Sequence, residues 1–363
     1  MSESNNHKTN SRPSPLVAEQ RNNKVTRDLW SEYAGHRKVM TGLVQSVATS
    51  LRRSELPTLC VLGAGNINDL SLAALVPMFA KIRLVDFDRQ AVESGIAKQT
   101  SAEENSDVAD LLTKRVSFVG PFDLLGASDL LATGLEQKAS ADKQDDASIT
   151  SVSNSLREAL AFQRPKHAMT TLGCSDIVVS ACVLSQLVRQ VNDVIGQGSS
   201  LANLLSSQIV FNHLQLSLAL TKAGGRTLLA TDFVRSSDGV PELEKEEDPA
   251  KLQLLANRAI QSGKYFANMS PTELLEGLND VRLRRYVSAV TRSSFWKWKI
   301  GQHNQYLCHA IAIAHSSVPW GAAAETAEDR LAATLRGFVN RTGMACRSLT
   351  DSEIEKRSPE KES

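Results

Sequence analysis

A chain of 363 residues, 42% hydrophobic and 22% charged, has the make-up of an ordinary globular protein with apolar material for one large core or two modest ones. Its 41 basic and 40 acidic side chains leave a formal net charge of +1, so no electrostatic surplus drives sequence-independent binding to phosphate backbones. The polar start MSESNNHKTNSRPSP lacks the apolar stretch of a signal peptide, and no run of about 18 apolar residues reads as a membrane span, so a cytoplasmic protein is expected.

In chain order, residues 1–23 are rich in Ser, Asn and charge and are expected to be a disordered tail. Residues 24–56 carry Val39, Leu43, Val47 and Leu51 at helical spacing and predict one amphipathic helix laid over the sheet or its ligand cleft. From residue 57 to 235, short apolar runs alternate with helical patterns: LCVLG at 59–63, IRLVDF at 82–87, VSFV at 116–119, IVVS at 177–180 and TLLA at 227–230. These runs do not alternate in polarity, as suits parallel strands covered on both faces. Helices are predicted between them at 70–79, 90–98, 156–162, 184–194 and 200–223, the last stopped by Gly224–Gly225. The polar stretch at 136–151 reads as a surface insertion.

Beyond it, residues 236–292 read as a helical insertion, with Ser270-Pro271-Thr272-Glu273 as a capping box. Residues 293–347 supply an antiparallel hairpin at the sheet edge and a final helix, and 348–363 form a second disordered tail. The expected fold class is α/β: a doubly wound, mostly parallel seven-stranded sheet with a C-terminal antiparallel hairpin and helices on both faces. The five cysteines, Cys60, Cys174, Cys182, Cys308 and Cys346, are scattered and read as reduced, buried thiols.

The stretch VLGAGNINDL (61–70) carries the chemistry. Gly63 and Gly65 let the chain turn tightly and let a ligand approach the backbone, and Asp86 in VDFD sits where a carboxylate accepts hydrogen bonds from both hydroxyls of a ribose. A dinucleotide fingerprint needs a third glycine where Asn68 stands, followed here by Asp69. A carboxylate there suits the helix dipole but repels a phosphate, whereas S-adenosylmethionine (SAM) carries a sulfonium and an ammonium and no phosphate. The charge pattern prefers SAM over NAD.

On these motifs, with the PFDLLG turn (121–126), the fourth strand DIVVSACVLSQL, the fifth strand GGRTLLATDF and the final hairpin, the chain resembles the class I (Rossmann-like) SAM-dependent methyltransferases over roughly residues 57–315. The resemblance implies SAM as cofactor and S-adenosylhomocysteine as product. It implies cofactor contacts from Gly63, Ala64, Gly65 and Asn66, from Asp86 with Phe87, from Asp123 with Leu124, and from Ser180 and Ala181. The acidic residue common ahead of the first glycine is absent from Cys60-Val61-Leu62, and Asp69 or a backbone carbonyl is expected to hold the methionine ammonium instead.

Tyr33, His36 and Arg37, with Trp30, share one face of the leading helix and are candidates to close the cleft over the acceptor, an alternative to simple core packing. His213 and His309 read as ordinary buried histidines, Trp296 and Trp298 as cover for one face of the hairpin, and Arg282, Arg284 and Arg285 as a solvated helix face. No metal-ligand spacing, Walker loop or Gly-x-Ser-x-Gly elbow occurs. The Asn/Asp-Pro-Pro-aromatic motif of amino-methylating nucleic-acid enzymes is absent after the fourth strand, which with neutral charge favours a small molecule or, second to it, a protein side chain as acceptor. A silent SAM-binding module acting through a protein partner, and an NAD-dependent oxidoreductase, are the alternatives.

Overall fold

The computed structural model describes residues 20, 23–128, 130–131, 154–160, 165–196, 199–300 and 304–321. The expected insertion at 136–151, the final helix and the C-terminal tail lie outside the described residues, as does nearly all of the N-terminal tail.

Five parallel strands form the centre of the sheet: β1 (Thr58–Leu62), β2 (Lys81–Val85), β3 (Val116–Val119), β4 (Ser175–Ala181) and β5 (Thr221–Arg235). Three antiparallel strands extend it: β6 (Val287–Arg292), β7 (Trp296–Ile300) and β8 (Asn304–His315). The order is β3-β2-β1-β4-β5-β8-β6, with β7 also paired to β8. The sheet therefore has eight strands where seven were expected. The hairpin of β7 and β8 is present, but β8 lies between β5 and β6 rather than at an edge. β6 was read as part of the helical insertion because the polar VSAVTR run is exposed at most positions and lacks an apolar alternation.

Side chains alternate across the central strands and build two cores. Leu59 and Val61 of β1, Ile177 and Val179 of β4, and Leu228 of β5 face one side, packed by α1 (Ala34–Thr49), α2 (Leu72–Leu75), α3 (Arg89–Ser101) and α4 (Ser106–Arg115). Cys60, Leu62, Val178 and Leu229 face the other, packed by α5 (Pro165–Leu172), α6 (Leu184–Ile195), α7 (Ser200–Ala219), α8 (Pro249–Gln261) and α9 (Pro271–Leu278). Strand burial on both faces is why the strands read as unbroken apolar runs. Within 236–292, α8 and α9 are the expected helices, and α9 opens with the capping box between Ser270 and Glu273.

The leading helix is shorter than expected. α1 starts at Ala34, because Arg37 stacks on the Trp30 ring at 3.5 Å and donates to the Trp30 carbonyl, holding the preceding residues in turns. No helix among the described residues is long and apolar enough to cross a membrane. Cys60, Cys174, Cys182 and Cys308 are free thiols, all but Cys174 buried.

Candidate functional site

The strand order reverses between β1 and β4, and in open α/β sheets the crevice beyond the carboxyl ends at such a point is where ligands bind. A cleft of about 610 Å³ opens there. Gly63 leaves β1 with φ +73°, and a methyl group on it would meet Val183 Cβ at 2.5 Å, so the loops after β1 and β4 touch through a position only glycine fits.

The glycine loop spends its donors internally. The Gly63 and Ala64 amides donate to the Val85 carbonyl at 2.9 and 3.1 Å, the Gly65 amide donates to Asp86 Oδ2 at 2.8 Å, and the Ile67 amide donates to the Ala64 carbonyl at 2.8 Å. The helix that follows, capped by the Ser71 side chain, is an α-turn at Leu72–Leu75 continued by a 3-10 turn at Val76–Met78, where a ten-residue helix was expected. The amides of residues 63–65 are therefore not free to receive a diphosphate.

Asp86 lines the cleft and is buried. Burial raises its carboxyl pKa, and the amides of Asp88 and Gly65 partly offset that by bonding the charged form. Each oxygen accepts one amide and keeps further acceptor capacity for a ligand hydroxyl. Asp69 lines the cleft beside it, 3.2 Å from His36 Nε2. In all, the lining holds five carboxylates (Asp69, Asp86, Asp193, Asp232, Asp238) against two guanidiniums (Arg189, Arg235), which favours a cationic occupant. No group of His, Cys, Asp and Glu fit to hold a metal ion occurs among the described residues.

Gly63, Ala64, Gly65, Asn66, Asp69, Asp86 and Tyr33 converge on this cleft. The other expected residues stand elsewhere. Ser180 is fully buried and hydrogen-bonded to His213 Nε2 at 2.7 Å, and Ala181 lies in the core, so neither lines the cleft. Phe87 borders a separate shallow depression with Asp88 and Pro121. Asp123 accepts from the Leu125 and Ser128 amides and the Ser128 hydroxyl, which makes it a turn cap, and Leu124 packs in the core.

His36 and Arg37 are not cleft residues, a correction to the expected substrate face. Arg37 donates to the Asn68 carbonyl at 3.0 Å as well as to Trp30. His36 is buried behind the lining, stacked on Trp298 at 4.5 Å, with Trp296 Nε1 donating to its Nδ1 at 3.0 Å. Burial lowers its proton affinity, but the Asp69 and Cys182 contacts outweigh it and by charge alone would hold the ring at about 9. The indole contact decides otherwise: a proton on Nδ1 would confront the Trp296 donor, so the ring is the neutral tautomer with its proton on Nε2, facing Asp69. His213 and His309 are buried, and burial lowers each to about 4.

Several lining residues escaped the sequence reading. Asn23, Val25 and Thr26 form a strap across the glycine loop, where Asn66 Nδ2 donates to the Asn23 carbonyl and Asn68 Nδ2 to the Thr26 carbonyl. Ser185 and Arg189 come from α6, Asp232 and Arg235 from β5, Trp298 from β7 and Tyr306 from β8. A carboxylate directly after the apolar TLLAT run was the one available signal, for Asp232.

No protein-family model matches the chain, and no curated protein matches it in sequence. Among solved structures, it is similar to the N-methyltransferase NodS from Bradyrhizobium japonicum WM9 in complex with S-adenosyl-L-homocysteine, at 9% identity and a TM-score of 0.39, over 83% of this chain and 98% of that one. An O-methyltransferase family protein from Burkholderia thailandensis is similar at 14% identity and a TM-score of 0.34, over 84% and 72% of the two chains. A geranyl diphosphate methyltransferase in complex with SAM matches at 12% and 0.31, over 76% and 84%. Likenesses this distant assign no residue a role, and the site is read from its own geometry.

Proposed function

We propose that the chain is a SAM-dependent methyltransferase of the class I type acting on a small-molecule acceptor. The observation that carries this reading is the cleft's electrostatics: the amides of residues 63–65 are spent on Val85 and Asp86, and Asp69 presents negative charge where a dinucleotide would place its phosphates. A nucleoside with a cationic side arm fits that arrangement, and a dinucleotide does not.

In this reading Asp86 receives the ribose hydroxyls, and Asp69 with the Gly63–Asn66 loop receives the amino acid arm. Asp123 holds the turn that carries Leu124. The bound cofactor would supply an activated methyl carbon with a neutral thioether leaving group. The protein's task is alignment and exclusion of water, a contribution of up to roughly 7–11 kcal/mol in well-oriented systems.

Titration calorimetry with SAM tests the cofactor. Binding by the wild type, weakened more than about tenfold by Asp86→Ala, is expected from the loss of charge-assisted hydrogen bonds. Equal affinity for both proteins contradicts the assignment. Formation of S-adenosylhomocysteine with any acceptor separates an enzyme from a silent binding module.

A further inference from the structure

The end of the cleft away from the glycine loop carries a chemistry that a nucleoside cofactor leaves unmatched. Asp232 is 5% exposed and lines the cleft beside an irregularity in the β5–β8 pairing between Asp232 and Val234, the kind of bulge that re-aims a side chain out of the strand alternation. Its carboxylate accepts the Ser185 hydroxyl at 2.5 Å, and no cation lies within 4 Å of it among the described residues. Burial raises its pKa, and the Ser185 bond, together with the nearby Arg189 and His36 side chains, opposes this only in part. A buried carboxylate in that state is stabilised by an incoming cation.

Three aromatic rings stand along the same wall. Tyr33 and Trp298 meet edge to face at 5.4 Å between centroids, Trp298 and Tyr306 lie tilted at 5.6 Å, and all three line the cleft. Aromatic faces beside a carboxylate are the environment that binds methylated ammonium groups. Arg189 supplies the opposite charge. It follows Ser185 by four residues on α6, so it stands one helical turn away, roughly 5–6 Å between Cβ atoms. Among the described residues its guanidinium has no hydrogen bond or ion-pair contact, in contrast to Arg235, which Asp238 holds at 2.8 Å.

We propose that the methyl acceptor is a small aliphatic amino acid whose nitrogen sits between Asp232 and the Tyr33–Trp298–Tyr306 wall and whose carboxylate is held by Arg189. This rests on the SAM reading and deepens it. Arg189 is near enough to Asp232 to act on its charge, and the enclosed volume, shared with the cofactor, suits a small molecule. The bound ammonium must first lose a proton; the lone pair so freed forms the N–C bond while the C–S bond breaks, its electron pair leaving with the neutral thioether. The proton shed by nitrogen passes to Asp232 and from there to solvent. Repeated methylation leaves a product that the aromatic wall still accommodates.

The test uses full-length protein loaded with S-adenosylhomocysteine and titrated with each of the twenty standard amino acids, beside its N-acetyl and carboxamide forms, read by thermal unfolding and calorimetry. At least one free amino acid is expected to raise the unfolding temperature, with neither masked form doing so. For that ligand, Asp232→Asn and Arg189→Gln each weaken binding more than about tenfold while S-adenosylhomocysteine affinity stays within about twofold. With SAM in place, methylation of that amino acid is expected to fall at low pH in the wild type, and Asp232→Asn to lose that limb of the profile along with most of kcat. Binding of a masked form as well as the free one, or no amino acid bound by a protein that binds S-adenosylhomocysteine, overturns the proposal. Failure of the wild type to bind S-adenosylhomocysteine at all overturns the cofactor reading itself.

Discussion

At Gly63 and Gly65 the backbone runs through positive φ, +73° and +46°, yet the two positions differ in what surrounds them. A methyl group at residue 63 would stand 2.5 Å from Val183 Cβ, whereas one at residue 65 comes no closer than 3.2 Å to the Asn23 side chain. The left-handed conformation alone costs a side-chain residue about 1–2 kcal/mol, and the clash at residue 63 adds overpacking on top. Gly63→Ala is therefore expected to lower the urea midpoint clearly more than Gly65→Ala and to lose cofactor binding, because it pries the β1 and β4 loops apart. Equal midpoints for the two variants would contradict this. His36 shows the other side of residue-scale reasoning: a histidine that sequence spacing offers as a substrate contact is held by Trp296 and Asp69 in the wall behind the cleft, where it orients the carboxylate rather than meeting the ligand.

Among the elements, β4 is anchored at the end opposite the cleft. Asp176 accepts from the Thr58 amide at 2.8 Å and its hydroxyl at 2.6 Å, joins β4 to β1, and pairs with Lys222 of β5 and with Arg53. Burial works to raise its pKa, but the Thr58 and Lys222 contacts prevail and hold it at about 2. Its folded value is thus depressed below the ordinary carboxylate range of about 4, so its stabilisation is present above that range and is lost as pH falls through about 2. Asp176→Asn is expected to cost about 1–3 kcal/mol near neutral pH, measured by chemical denaturation, with the gap to wild type closing in acid. A gap that persists at pH 2 would show that the charge is irrelevant. At the other end of the sheet, Asp232 lines the cleft beside the bulge in β5.

At the scale of the whole molecule, two apolar layers clamp the sheet from either side, and carboxylates gather beyond the strand ends where β1 and β4 diverge. The cleft collects five carboxylates in a protein whose formal charge is nearly zero, so its field is a property of the fold and not of composition. Burial raises Asp86 above the ordinary carboxylate range. Cofactor affinity is therefore expected to weaken as pH is lowered, beginning above about pH 4, since the protonated acid loses its charge and an acceptor position. SAM, with its sulfonium, should weaken more than S-adenosylhomocysteine. Calorimetry at stepped pH checks this, and flat affinities from neutrality to about pH 4 would contradict it. For the ligand-free protein the sign is opposite: a carboxyl whose pKa is raised on folding contributes stability at low pH that is lost as pH rises through its folded value.

The sequence by itself determined the α/β class, the five parallel strands, the glycine loop and Asp86, because each is written in neighbours along the chain: unbroken apolar runs, a turn only glycine allows, an acid at a strand end. Periodicity also located α6 and the capping box of α9. It missed β6, whose polar face gives no apolar rhythm, and overextended the leading helix, which the Arg37–Trp30 contact starts late. Only the tertiary structure decided which side chains line the cleft. Tyr33 reaches the cleft while His36 and Arg37 do not, and Asp232, Arg189, Trp298 and Tyr306 meet there from four separate elements. Such convergence depends on register, bulges and packing across more than a hundred residues of chain, and no local pattern of residues records it.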